Sequence, residues 1–261
     1  MPAFERAFLT GASSGIGRGV ALELARRGTL VVAAARRLQR LEALREEAAG
    51  AAGRIEACEL DVSDPRRVAE VLHREDQRVG GFDLVIANAG VANYFGPDPL
   101  SLDNVLAVAQ VNFTGALATL VAGKDAMLPR GRGTLVGVAS LAGFRGLPDS
   151  GAYSATKAGL QTFLESLALD LDGSGLRVVD VSPGFVRSEM TDRNGFRMPF
   201  LMETEDAVRR FVEAVEEGRP QVTFPWQLAL PLRLGAKFAP RGLWRRAVRG
   251  AKGRADRRGA R

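Results

Sequence analysis

Thr10-Gly11-Ala12-Ser13-Ser14-Gly15-Ile16-Gly17 follows an apolar run, Ala3–Leu9, and opens a helix-length segment. A short glycine-rich turn between a strand and a helix lets backbone N–H groups approach a pyrophosphate at the helix N-terminus. Gly15 and Gly17 permit that close approach and tight helix packing. The strand before and the helix after set this stretch apart from an ordinary glycine-rich turn.

Outward from this turn, apolar runs alternate with helix-length segments. Thr29–Ala35, Arg54–Leu60, Asp83–Ala87, Gly133–Ala139 and Leu176–Ser182 read as strands. Amphipathic stretches such as Leu38–Ala49 and Pro65–Val79 lie between them, and two longer helical segments span Ser101–Leu128 and Ala152–Leu171. Strands that are apolar throughout and separated by helices predict a parallel sheet covered on both faces. The fold class is therefore α/β, a doubly wound parallel sheet. A chain of 261 residues, 46% hydrophobic and 25% charged, suits one large domain of this kind. The expected division is a catalytic and dinucleotide-binding domain over 1–224 and a basic, Pro-interrupted tail over 225–261. Within the first, 189–218 forms a substrate lid region: a loop over Glu189–Met202 and a helix from Glu203 to Glu217.

Composition removes whole classes of chemistry. One cysteine, Cys58, allows no intramolecular disulfide and no cysteine-based zinc site. One histidine, His73, sits in a charged helical stretch, so His-based triads and the usual metal clusters are excluded. No metal is expected. No basic-then-apolar leader precedes the first strand, and no uninterrupted apolar run reaches the roughly 18 residues a spanning helix needs. The sequence thus predicts a cytoplasmic protein.

The net charge of +6 is unevenly placed: Arg233–Arg261 carries eleven Lys/Arg against one acid, Asp256, and the remainder is net −4. Two readings of the tail stay open. Its Trp226, Leu228, Leu230, Leu234, Phe238 and Trp244, mixed with basic residues, suit a weak peripheral membrane contact. Equally, its apolar part docks on the body or a neighbouring subunit while 250–261 is disordered. An acidic body beside the tail offers no broad basic face, so no nucleic acid is expected.

The chemistry-bearing residues lie late in the chain. Tyr153 and Lys157, four apart, share one face of a helix, with Ser140 thirteen residues earlier. Free tyrosine titrates near ~10. An ammonium at ~4 Å and an effective dielectric of ~20 favours the phenolate by roughly 4 kcal/mol, about three pKa units before screening. That brings Tyr153 toward the range where a general acid or base works best. Asn112, mid-helix, is an unusual choice for a helix interior.

The second strand ends Ala33-Ala34-Ala35-Arg36-Arg37, without the acid that an NAD-type site uses for ribose hydroxyls. A guanidinium suits a 2′-phosphate, so NADP(H) is expected over NAD(H), through Arg36 with Arg37 as bystander. Solvated helix-start arginines are the alternative. Asp61 closes the third strand. Pro65 starts the next helix, which makes Asp64 its cap and leaves Asp61 for the cofactor. Asn88-Ala89-Gly90 turns at the carboxyl end of the sheet, where α/β folds bind ligands.

As an ordered set these residues resemble the classical short-chain dehydrogenase/reductase family, over Ala3 to about Ser188. The resemblance implies a Rossmann-type fold and a reversible carbonyl/alcohol interconversion with a nicotinamide cofactor. It implies Tyr153 as proton donor and acceptor and Ser140 as partner of the substrate oxygen. Lys157 would hold the nicotinamide ribose and depress the Tyr153 pKa, and Asn112 would support a water linked to it. It implies cofactor contacts from Thr10, Gly11, Ser13, Ser14, Gly15, Ile16, Gly17, Arg36, Asp61, Val62, Asn88, Ala89, Gly90, Tyr153, Lys157, Pro183, Gly184, Val186 and Ser188. It also implies a homodimer or homotetramer. Met190, Phe196, Met198, Phe200, Leu201 and Met202, joined by Tyr94, Phe95, Phe144 and Leu147, suit a lipophilic substrate or else pack the core or a subunit contact. A nicotinamide-binding redox sensor without turnover is the competing class. It has no need of Asn112, Ser140, Tyr153 and Lys157 together.

Overall fold

The computed structural model describes residues 3–92, 98, 100–192 and 198–256. Seven parallel strands form one sheet in the order β3-β2-β1-β4-β5-β6-β7. They are β1 Arg6–Thr10, β2 Leu30–Ala35, β3 Arg54–Glu59, β4 Leu84–Ala87, β5 Gly133–Val138, β6 Leu176–Pro183 and β7 Gln221–Phe224. Six match the apolar runs of the sequence. β7 is the addition: a four-residue strand after a helix offers no periodicity to read.

Side chains alternate across this sheet and build a core on each face. Ala7 and Leu9 join the core under α1 (Gly15–Arg26), α2 (Leu38–Glu47) and α8 (Thr204–Glu216), with Leu24, Leu44 and Phe211. Phe8 turns to the other core, with Leu72 of α3 (Pro65–Val79), Leu120 of α5 (Gly115–Met127) and Leu164 of α6 (Gly151–Asp170). The α3 N-terminus is capped as expected: Asp64 accepts from the backbone N–H groups of Arg66 and Arg67 at 3.1 and 3.0 Å.

The segment expected as one helix over Ser101–Leu128 is three pieces: α4 (Leu102–Ala109), a π-helical turn over Gln110–Thr114, and α5. The continuous run Leu102–Arg130 is long and apolar enough to cross a membrane by length and composition. In this fold it is a core element, with Val111, Ala116, Leu120 and Met127 buried. A short helix, α7 (Glu189–Asp192), begins the lid region, and α9 (Trp226–Phe238) and α10 (Arg241–Asp256) make up the tail. Tyr94, Phe95 and Phe196 lie outside the described residues.

Strand order reverses between β1 and β4. The carboxyl ends of those strands therefore open a crevice, the place where open α/β sheets bind ligands.

Candidate active site

Two turns form the floor of the crevice, and glycine is required where they meet. Gly11 has a left-handed φ of 73°, and a Cβ there would lie 2.7 Å from the Ala89 Cα. The Thr10 hydroxyl accepts from the Asn88 and Ala89 N–H groups at 3.1 and 3.3 Å. The Asn88 amide donates back to the Thr10 and Gly11 carbonyls at 3.0 and 3.2 Å. Gly17 lies under the Asn88 amide, where a Cβ would come within 2.3 Å of Nδ2. Gly15 also has a left-handed φ, 54°, and abuts Ser188. Ile16 packs its side chain on the core. Ser14 precedes α1 without a side-chain cap, leaving that N-terminus with the polarity that suits an anion.

The arginines are arranged differently from the expectation. Arg37 donates to the Ser13 hydroxyl at 2.9 and 3.2 Å and to the Ser14 hydroxyl at 2.9 Å, so it lies on the glycine-rich turn. Its third partner is Glu189 of α7, which also pairs with Arg40. Arg36 faces Asp61 at 3.9 Å. Asp61 is not left entirely to a cofactor, since it accepts from the Ser63 N–H at 2.9 Å. Val62 is buried, its carbonyl oxygen beside Gly115.

The catalytic candidates converge at the ends of β5 and β6. Ser140 follows β5 and caps a short 3-10 turn by accepting from the Ala142 N–H at 3.1 Å. Its hydroxyl also reaches the Pro183 carbonyl at 3.4 Å. Tyr153 is half-buried in the first turns of α6. Burial raises its pKa, and the neighbouring Ser140 hydroxyl pulls the other way.

Lys157 is buried and donates to the Val138 carbonyl at 2.7 Å, with Nζ 5.8 Å from the Tyr153 ring centroid. Burial depresses the ammonium to about 8, against an upward pull from Asp180. The balance at Tyr153 thus differs from the expected depression by Lys157. The ammonium is held on a strand carbonyl and is itself depressed, and burial dominates the phenol.

Asn112 sits in the π turn, fully buried. Its amide exchanges a reciprocal pair of bonds with the Val91 backbone, at 2.7 and 2.8 Å. Gly90 passes between it and Lys157: a Cβ there would be 3.4 Å from Asn112 Oδ1 and 3.5 Å from Lys157 Nζ. A π turn is where helices commonly carry function.

Pro183 ends β6 and Gly184 follows it, with the Gly184 N–H tied to the Phe224 carbonyl at 2.7 Å. Val186 is buried and bridges Met202, closing the base of the lid loop. The Ser188 hydroxyl pairs with Thr191 at 3.3 Å.

One buried network was missed by sequence reasoning. Gln161 donates to the Ser140 carbonyl at 3.0 Å and to the Ser182 hydroxyl at 2.9 Å. Ser182 donates to Asp180 at 2.8 Å, and Gln221 to the other Asp180 oxygen at 3.1 Å. The signal was present: Asp180 is an acid in the middle of a mostly apolar strand, and a buried carboxylate needs partners. Cys58 is buried, its thiol pushed up to about 11 by desolvation. An open cavity of about 470 Å³ lined by Glu5, Arg6, Gly28 and Arg54 lies at the amino ends of the strands, away from all these groups.

The short chain dehydrogenase family model matches residues 5–197. An uncharacterized oxidoreductase of Myxococcus xanthus is 51% identical over 246 residues, covering 94% of this chain and 97% of that protein. A short-chain dehydrogenase from Sphingobium yanoikuyae, solved with NADPH, superposes with a TM-score of 0.77 at 27% identity, over 91% of this chain and 96% of that one. A short-chain dehydrogenase/reductase from Burkholderia phymatum, solved with NAD, shares the fold at a TM-score of 0.80 and 23% identity, over 89% and 93%.

Proposed function

The chain belongs to the short-chain dehydrogenase family and is an oxidoreductase, and from that premise we propose that it interconverts a lipophilic ketone or aldehyde and its alcohol with NADP(H). The observation that carries this reading is the convergence of Ser140, Tyr153 and the buried Lys157 at the carboxyl end of the sheet, with Lys157 Nζ 5.8 Å from the Tyr153 ring centroid.

The residues present fit a nicotinamide dinucleotide. The glycines at 11, 15 and 17 leave backbone room at an uncapped helix N-terminus, and a buried lysine stands deeper in the crevice. When bound, the cofactor supplies or takes up a hydride. Thr10 to Gly17 and Asn88 to Gly90 would hold its pyrophosphate and adjacent ribose. Pro183, Gly184, Val186 and Ser188 would line its nicotinamide end, with Lys157 on the ribose.

Tyr153 passes a proton to the substrate oxygen in reduction and takes it back in oxidation. Ser140 donates a hydrogen bond to that oxygen as charge develops. Asn112 fixes the Val91 backbone beside Lys157 and so supports the path by which the proton is replaced.

Preference for NADP(H) is supported by three arginines that follow β2, Arg36 facing Asp61, Arg37 on the glycine-rich turn and Arg40 on Glu189, since guanidinium groups suit a phosphate dianion. A lipophilic substrate is supported by the apolar segment beyond Gly184, where Met190 and Phe200 are exposed. Assembly as a homodimer or homotetramer is proposed on the family resemblance.

The test is a turnover screen with NADPH and NADP⁺ against carbonyls and alcohols of graded hydrophobicity. Rising kcat/KM with chain length, lost in Tyr153→Phe, is the expected result. Turnover confined to small polar substrates would reject the lipophilic assignment.

A further inference from the structure

The two tail helices are fastened to the catalytic loop. Arg145, five residues after Ser140, donates to the Gly235 and Ala239 carbonyls at the α9 C-terminus, at 2.6 and 2.8 Å. Its guanidinium lies 4.9 Å from the Trp244 ring of α10, and the Trp244 N–H donates to the Gly146 carbonyl at 3.1 Å. At the other end, α9 closes on the nicotinamide side of the crevice: a Cβ on Gly184 would come within 3.2 Å of Leu228 and Pro225. The tail is thus a wall of the substrate end.

That wall presents an apolar face outward. Trp226, Leu230, Leu234 and Phe238 recur every four residues along α9 and are 68%, 52%, 50% and 68% exposed. Leu243 at the start of α10 adds to them, 61% exposed. Arg233 and Lys237 on α9, and Arg241, Arg245 and Arg246 on α10, are exposed around this face.

We propose that the α9–α10 surface docks on an anionic lipid membrane. An indole and aliphatic side chains rimmed by cations match the boundary between acyl chains and anionic headgroups. Charge decides between occupants. A two-fold contact between two copies through this face would set Arg233, Lys237, Arg241, Arg245 and Arg246, with no acid over 225–248, against their own copies. A lipid surface bearing negative charge removes that repulsion and covers the apolar stripe at once. Docked this way, the crevice wall formed by α9 abuts the bilayer, a short route for a substrate that partitions into lipid. The docking stands independently of the oxidoreductase reading, because it is read without turnover.

The experiment is co-sedimentation of the full chain with phosphatidylcholine vesicles and with vesicles of phosphatidylcholine and phosphatidylglycerol, at low and high salt. Binding to the mixed vesicles at low salt, weakened by salt and accompanied by a blue shift of tryptophan fluorescence that Trp226→Phe removes, is expected. Leu230→Ser with Leu234→Ser, and separately Arg241→Glu with Arg245→Glu, should each lower the bound fraction roughly tenfold or more. Far-UV circular dichroism and melting temperature establish that each variant is folded. No sedimentation of the folded full chain with mixed vesicles at low salt overturns the proposal. So does equal binding to neutral vesicles, or a loss of self-association in the Leu230/Leu234 variant without any vesicle binding by the parent.

Discussion

Arg37 and Glu189, 152 positions apart in the chain, meet at 3.1 Å over the glycine-rich turn. The same guanidinium holds the Ser13 and Ser14 hydroxyls, and the same carboxylate pairs with Arg40. The short helix that begins the lid is thereby clasped to the strip of chain that follows β2. The two arginines hold the Glu189 carboxyl below the usual carboxylate range, Arg40 contributing most. A carboxylate so placed occupies the cations that a 2′-phosphate would use.

Glu189→Gln should therefore tighten NADPH binding and leave NADH binding unchanged. All three partners are about half exposed, and such pairs are worth about 0.2–1 kcal/mol. The gain is then up to roughly fivefold in Kd. Calorimetric titration of parent and variant with both cofactors reads it. Weaker NADPH binding by Glu189→Gln would show that the carboxylate supports the site instead of competing for it.

Arg36→Ala and Arg37→Ala should each cost NADPH roughly ten- to a hundredfold in affinity, the value of a charge-assisted phosphate contact of about 1.5–3 kcal/mol. Arg37→Ala carries a second effect, because it also frees Ser13, Ser14 and Glu189. Its NADH affinity should fall too, whereas that of Arg36→Ala should not. Tighter binding of NADH than NADPH by the parent protein would defeat the phosphate reading for both.

Tyr153→Phe should nearly abolish turnover and leave cofactor binding largely intact, because the ring is kept and only the hydroxyl lost. Lys157→Ala should damage both. Steady-state rates beside cofactor dissociation constants separate the two effects. A Tyr153→Phe enzyme within roughly threefold of the parent, far short of the usual ~10²–10⁴-fold contribution of an acid–base group, would remove Tyr153 from the chemistry.

Much of this was legible in the sequence for physical reasons. Buried parallel strands are largely apolar, so the central strands announce themselves, the edge strand β3 shows by its buried Ile55 and Cys58, and Asp64-Pro65 marks the start of α3 to the residue. The glycine-rich turn and the Tyr153/Lys157 pair are local patterns, readable without tertiary contacts. What stayed hidden depends on distant contacts. Which of two adjacent arginines turns toward Ser13 is set by packing 24 residues away in sequence. The pKa order at the site follows burial, which spacing alone does not give. Arg145 reads as a loop arginine until α9 is seen to end on it and Trp244, in the first turn of α10, to lie against it.

Asp180→Asn should shift the charge state of Lys157. The carboxylate pulls the ammonium pKa up, and the amide keeps similar shape without the charge. Cofactor affinity that depends on a charged Lys157 should then begin to fall at a lower pH in the variant than in the parent. Fluorescence titrations of NADPH between pH 6 and 9.5 would read both limbs, about ~6 and ~9.5 bracketing the depressed value. Coincident limbs in parent and Asp180→Asn would mean that the two charges are not coupled.

Lys157 should also be visible in stability. Its folded pKa is about 8, depressed by burial, while an unfolded lysine titrates near ~10.4. Between those values the unfolded chain keeps a proton that the folded chain has lost, so stability rises with pH across this window. Below pH ~8 the buried charge costs the fold its full penalty, on the order of 3 kcal/mol. Lys157→Met removes the charge and also the bond to the Val138 carbonyl, a loss of about 1 kcal/mol that partly offsets the gain. The variant should melt above the parent at pH 7, and the gap should close as pH approaches ~10. Differential scanning calorimetry of both proteins across that range is the measurement, and a gap independent of pH would show that Lys157 is not depressed in the folded protein. A residue that destabilises the fold at neutral pH yet occupies the centre of the crevice is what a charge kept for chemistry looks like.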